Sequence, residues 1–393
     1  MCEIENTPSA SNFIVAPLTD PFALYRQEEQ DGRTIYSAGF PSYPANFSRD
    51  TFLAGIIAGR SDILSSQLEY SAAYQGKVKD PVTGESPGRI HHEQPGAQLV
   101  GREGLYTTYN ACDTTSLFLI ACEHLADLDR FASDKFMASK RNSIESAVEH
   151  IQEQLDEDKF YRECPPVGSD MYSLRVTYWK DSILPNKNSK LEPIYPVTYP
   201  LAHFIAARGL LSASRMLNKR SIATIASEMF ANGIRNFIRP GGYMVYEDAE
   251  ERVWQESSDE LHSLAYIPVR YNKLLPKTDI LRRSEILKTA IGYMCTPSEV
   301  AIHLSDGYHG DVVWVFEQAL IYYGATKFDM GRIATVAAQV APYIGEGQEL
   351  FKVIETEVGN IEIIPKGNNC QLWSVAAATY FAGRSALAKR SLL

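Results

Sequence analysis

Apolar residues recur at helical spacing from about residue 50 to the end of the chain. They define helix candidates over about 50–75, 112–127, 138–156, 196–213, 219–237, 260–272, 279–296, 310–324, 328–343 and 371–388. Gly, Pro and Asn cluster between them, as connecting loops require. Strand-like alternation is rare; Ile-Glu-Ile-Ile at 361–364 and Tyr-Met-Val-Tyr at 243–246 are the two candidates. Residues 1–35 read as a lead-in with one short helix near Pro21–Gln30. No linker, low-complexity tract or compositional break follows, so residues 36–393 read as one domain of paired helices.

This pattern predicts an all-α protein. Long helices with long alternate loops fit an (α/α)6 toroid, in which inner and outer helices alternate and the loops at one end form a cleft. A superhelical solenoid shares that composition, but no internal period is visible.

The 393 residues suffice for one large domain, and the 45% apolar fraction is ordinary for a globular protein. A net charge of −10 without any basic block argues against nucleic acid as a partner. The 22 tyrosines suit sugar binding, although most belong in a core. The acidic N-terminus lacks an apolar h-region, and no run of about 18 apolar residues offers a membrane span. Six scattered cysteines without C-x-x-C spacing make reduced, cytoplasmic thiols the default; neither a metal site nor a cofactor is expected.

Several polar clusters stand out against the apolar helices. Phe40 to Leu53 runs through two prolines into a strongly apolar helix, with Ser48 placed to cap it. Arg49 and Asp50 fall in the first turn of that buried helix, where charge needs a reason. Dipole stabilisation with mutual pairing is one reason, and a sugar hydroxyl held between them is another. Ser86-Pro-Gly-Arg-Ile-His-His-Glu93 is a dense polar loop whose sequential spacing is awkward for a metal. In Tyr109-Asn110-Ala-Cys-Asp113, Asp113 reads as an acid at the N-terminus of the next helix and Asn110 is placed to cap it.

Val176-Thr-Tyr-Trp-Lys-Asp181 delivers a carboxyl beside Trp179. Desolvation there would hold it protonated, as a general acid requires, while Lys180 acts in the opposite sense. Trp254-Gln-Glu256-Ser-Ser-Asp259 is the competitor, with Asp259 read as a helix cap. Ser305 to Trp314 contributes His309, equally readable as a sugar contact or a structural histidine. Glu349 precedes a segment carrying Gln371 and Trp373, with Glu346 as its alternative.

Taken in order, these stretches resemble the amylo-α-1,6-glucosidase part of glycogen debranching enzymes, with glucoamylase, processing α-glucosidase and glucosylglycerate hydrolase relatives. Gly39-Phe-Pro followed by Ser48-Arg-Asp-Thr-Phe is similar to the G-F-P…G-R-D-T-F signature. Ser86–Glu93 resembles a P-G-K-I-x-H-E loop over the cleft, Tyr109–Asp113 a Y-N-x-x-D motif, and Thr177–Asp181 a T-W-M-D motif. Tyr308–Trp314 resembles Y-H-x-G-x-V-W-P, with Val315 in place of the proline. Glu349-Leu-Phe and Cys370-Gln-Leu-Trp-Ser resemble E-L-F/T…C-P-x-Q-A-W-S, with its proline missing. The matches span residues 39 to 378 in one consistent order.

The resemblance implies an inverting glycoside hydrolase that releases glucose from an α-glucoside: a small glucoside, an oligosaccharide or an α-1,6 branch. Asp181 would be its general acid and Glu349 its general base. Phe40, Arg49, Asp50, Glu93, Tyr109, Asn110, Asp113, Trp179, Lys180, His309, Trp314, Gln371 and Trp373 would bind substrate. The short chain leads us to expect a bare catalytic domain without an N-terminal β-sandwich. Two rival classes remain: a sugar epimerase on the same toroid using His303 and His309, and a sugar-binding protein without catalysis.

Overall fold

The computed structural model describes residues 20–28, 32–98, 103–164, 176–181, 193–301, 307–355 and 359–383. Its helices in chain order are α1 (Ser48–Ala58), α2 (Ser61–Ala73), α3 (Thr114–Leu128), α4 (Arg130–Glu153), α5 (Pro200–Leu217), α6 (Arg220–Phe237), α7 (Ser258–Ser263), α8 (Lys277–Leu287), α9 (Ser298–Ala301), α10 (Val315–Lys327), α11 (Gly331–Ala337) and α12 (Leu372–Gly383).

Among the described residues, α1, α3, α5, α7, α10 and α12 form a closed cycle: each packs on the next, and α12 packs back on α1. The remaining longer helices lie outside this cycle, α2 and α4 against α3, α6 against α5, α8 against α7 and α11 against α10. The residue patterns explain the two layers. In α1 and α5 nearly every residue is buried, and a helix that is apolar all round needs neighbours on every side. In α6 the buried positions Ile222, Ala226, Met229, Phe230, Gly233, Ile234 and Phe237 form a single stripe, so one face meets the core. Phe22 and Tyr25, before the cycle begins, lie in the same core.

The expectation of an all-α chain is corrected by five small antiparallel sheets. β1 (Arg26–Glu28) pairs with β2 (Thr34–Tyr36), where a helix near Pro21–Gln30 was expected; among the described residues there, only Ala23–Tyr25 is helical, as one 3-10 turn. β3 (Gly39–Phe40) takes its partner from the far end of the chain. β4 (Asn46–Phe47), β5 (Glu93–Gln98) and β6 (Leu105–Thr108) form the next sheet, and β7 (Ile238–Arg239), β8 (Gly242–Glu247) and β9 (Arg252–Trp254) another. β10 (Val312–Trp314), β11 (Leu350–Glu355) and β12 (Ile361–Lys366) make a third, and β13 (Cys370–Gln371) closes onto β3. Both strand candidates fall in strands, β8 and β12. Most of the other strands have two to four residues, too brief to show alternation, while β5 and β11 have six but no apolar–polar alternation in sequence.

Helix boundaries moved for local reasons. The helix expected over 50–75 is two, because Gly59 adopts a left-handed conformation (φ 64°) that ends α1. The candidate over 310–324 begins as strand β10 and becomes helical only at Val315. Residues 384–388 of the last candidate lie outside the described residues. No helix among them is long and apolar enough to cross a membrane.

Candidate active site

Two segments far apart in the chain meet at the site. β3 pairs with β13, placing Gly39 opposite Gln371 and Phe40 opposite Cys370. A Cβ at Gly39 would overlap the Gln371 amide oxygen, which explains glycine in the Gly-Phe-Pro stretch. Around this junction α1, α10 and α12 begin, so their partially positive N-terminal ends face one pocket of about 110 Å³. Asp50, Trp179, Asp181, His309, Glu349 and Trp373 are among its walls.

Glu349 immediately precedes β11 and is 1% exposed. Three donors converge on its carboxylate: Tyr308 Oη (2.6 Å) and Gln371 Nε2 (2.8 Å) on Oε1, and the Asn368 amide (2.7 Å) on Oε2. The Tyr308 hydroxyl also meets Tyr43 Oη at 3.1 Å. Gly367 makes room for this arrangement; at φ 71° it suits glycine, and a Cβ there would collide with Glu349 Oε2.

Asp50, in the first turn of α1, is 6% exposed. Burial pushes its carboxyl up to about 8, against the pull of Arg49 and with the Glu349 charge adding to the rise. The expected Arg49–Asp50 pair does not form. Arg49 Nε instead donates to both Asp113 oxygens at 2.9 Å, and Nη2 reaches the Thr177 carbonyl. Asp113 therefore takes the arginine's hydrogen bonds, and burial outweighs the remaining pull of Arg49 on Asp50. Ser48 does not cap α1 with its side chain; its backbone amide donates to the His92 carbonyl (2.9 Å), which ties the Ser86–Glu93 loop to the helix start.

Asp181 is the last described residue of segment 176–181. Its side chain is 28% exposed, with Oδ1 4.0 Å from His309 Nδ1. Its neighbour Lys180 turns away from the pocket. The ammonium donates to Ser257 Oγ and Ser258 Oγ at 2.9 Å and lies 3.1 Å from Asp259 Oδ1. Asp259 also accepts from Trp179 Nε1 (3.0 Å), so this carboxylate is bonded behind the pocket wall. Ser257, not Asp259, caps α7. Glu256 and the exposed Glu346 line neither this pocket nor the chamber beyond it.

His309 stacks on Trp314 at 5.1 Å between ring centroids and meets Trp179 edge-on. Burial, with Lys180 and Arg49 nearby, holds it neutral well below the ordinary histidine range. That makes it a poor proton carrier near neutrality. His303 lies outside the described residues. Tyr109 and Phe40 are set back: Tyr109 donates to the Tyr74 carbonyl (2.7 Å), and Phe40 packs on Tyr25.

A wider chamber of about 750 Å³ adjoins the pocket; Tyr43, Phe47, His92 and Asp181 line both. Glu93 and Asn110 line the chamber only, and burial pushes the Glu93 carboxyl up to about 7. Tyr43, Phe47, His92 and Tyr308 are site residues that sequence reasoning did not single out. Each sits within a motif that was noticed, and inward orientation leaves no mark in a loop without periodicity.

No protein-family model matches the chain, and no curated protein sequence matches it. Solved structures do share its fold. An uncharacterized conserved protein from Thermus thermophilus superposes at a TM-score of 0.62 with 12% identity, over 88% of this chain and 95% of that one. The GH63 mannosylglycerate hydrolase of the same organism, in complex with glucose, gives 0.59 and 12%, over 88% and 95%. The GH78 family rhamnosidase of a Bacillus species gives 0.53 and 12%, over 87% of this chain and 32% of that one. The fold is thus one that glycoside hydrolases use.

Proposed function

We propose that this chain is an inverting glycoside hydrolase on an (α/α)6 toroid that releases glucose from an α-glucoside. One observation carries the reading: Asp181 stands at the throat common to pocket and chamber, while Glu349 lies in the inner pocket alone. A terminal sugar in the pocket with its leaving group in the chamber puts the glycosidic oxygen at the throat.

Asp181 donates its proton to that oxygen as the bond to the anomeric carbon breaks. Glu349 takes a proton from a water that attacks the same carbon from the opposite face. Inversion asks for roughly 6.5–9.5 Å between two such carboxyls, with the water between. Tyr308, Gln371 and the Asn368 amide fix the base in place, and a held base loses little freedom in the transition state. Asp50 would accept hydroxyls of the terminal sugar, and Trp314 and Trp373 would pack against its ring faces.

The test is the anomer first formed from an α-glucoside, followed by proton NMR before mutarotation. We expect β-glucose. Release of α-glucose would overturn the inverting assignment of Glu349.

A further inference from the structure

We propose that the outer chamber takes a neutral, polyhydroxylated leaving group, a second sugar or a polyol, and that Glu93 turns away leaving groups that carry a carboxylate. This rests on the glycosidase reading of the inner pocket. At about 750 Å³ the chamber falls within the roughly 300–1,000 Å³ of small-molecule sites, and it opens on the throat where Asp181 stands.

Its lining asks for hydrogen-bond donors. Among the described residues the acidic side chains facing it are Glu93 and Asp181, and His92 beside them is held neutral by burial. Among the described residues none of its walls carries a Lys or Arg, while Gln27, Ser42, Thr108 and Asn110 bring uncharged polar groups. An amide oxygen only accepts, and so does an ionised carboxyl, whereas a carboxylate ligand has no proton to offer either. A hydroxyl can donate to the Glu93 carboxyl and to a side-chain amide oxygen, and can accept from amide and hydroxyl donors. Polyols and sugars therefore match this lining, and an acid meets acceptors and like charge.

Two substrates isolate the difference: α-glucosylglycerol and α-glucosylglycerate, which share glucose and a three-carbon leaving group. p-Nitrophenyl α-glucoside reports on the catalytic pair separately. We expect kcat/KM at neutral pH to favour glucosylglycerol by about tenfold or more, the scale of a like-charge contact. Glu93→Gln should narrow that ratio several-fold, and Asn110→Asp, which adds a second acid, should widen it. Circular dichroism checks that both variants fold, and one folded variant suffices. Equal or reversed rates in the wild type, or a ratio that neither variant moves, overturn the inference. If the aryl glucoside is cleaved and glucosylglycerate is preferred, only this inference falls. If none of the three is cleaved, the glycosidase reading falls and takes it along.

Discussion

Glu349 and Asp50 line the same pocket at 1% and 6% exposure, yet the fold surrounds them differently. Glu349 sits where the chain's C-terminal third folds back, and two side chains and a backbone amide already bond its oxygens. Asp50 sits at the start of the first inner helix. Among the described residues its own amide is the one hydrogen-bond donor that bears on its shift, and burial pushes its carboxyl up to about 8. The arginine beside it is turned to Asp113. One group is organised as it stands; the other has capacity that the proposed sugar would meet. That is the division expected between a group that acts on water and one that holds a sugar: preorganisation serves the transition state, and unmet capacity serves binding.

The largest effects should come from the proposed catalytic pair, because loss of general acid or base typically costs on the order of 10²–10⁴-fold. Glu349→Gln keeps the shape and removes the base, so its loss should be the same for alkyl and aryl glucosides, and added azide should restore turnover. Asp181→Asn removes the proton donor, so its loss should shrink as the leaving group improves. Steady-state kinetics on a series of glucosides separates them. If Glu256→Gln or Asp259→Asn shows the leaving-group dependence while Asp181→Asn stays active, the acid is misassigned. The bonds of Asp259 to Lys180 and Trp179 argue against that outcome.

The helices and the order of the polar motifs were legible because both leave marks in sequence. Helical spacing repeats every few residues, and a carboxyl beside Trp179 or in a first turn is conspicuous. Three-dimensional pairing leaves no such mark. Arg49 meets Asp113, 64 residues away, and Lys180 meets Ser257, 77 residues away, so neither partner was visible from local spacing. Lys180 looked like a pocket residue because it adjoins Asp181, but its ammonium is held by Ser257, Ser258 and Asp259 instead. Strands of two or three residues escaped for a simpler reason, since their ladders are closed by distant segments, as Gly39 is by Gln371.

A mid-sized effect tests Asp50. Asp50→Ala should weaken sugar binding by about 1.5–3 kcal/mol, the range for a hydrogen bond to a charged group, because hydroxyls donating to the carboxyl favour its ionised form once sugar is bound. Stability should move the other way. The group's ordinary value is 3.8 and its folded value is about 8. Between these the native state keeps a proton that the unfolded chain has lost. Its contribution to stability therefore falls as pH rises through that window and levels off above it. Asp50→Asn removes this slope, so the variant's Tm should gain on the wild type from pH 5 to pH 8. A constant Tm difference across that range, measured by differential scanning calorimetry, would show that Asp50 is ionised in the folded protein.

The smallest effect tests how Glu349 is held. Tyr308→Phe keeps the ring and its packing on Trp314 and His309 but deletes the hydroxyl 2.6 Å from Oε1. Gln371 and the Asn368 amide remain, so the carboxylate keeps two of its three donors, and the loss should be about tenfold or less, the worth of one hydrogen bond. It should fall on kcat and leave KM nearly unchanged, because the contact orients the base and not the sugar. Tyr43 reaches Glu349 only through the Tyr308 hydroxyl among the bonds described, at 3.1 Å. The kcat cost of Tyr43→Phe should therefore shrink in the Tyr308→Phe background, a coupling that a double-mutant cycle measures. Fully additive losses would mean that Tyr43 acts on the substrate directly, from its place at the throat, and that the two hydroxyls do not form a working chain.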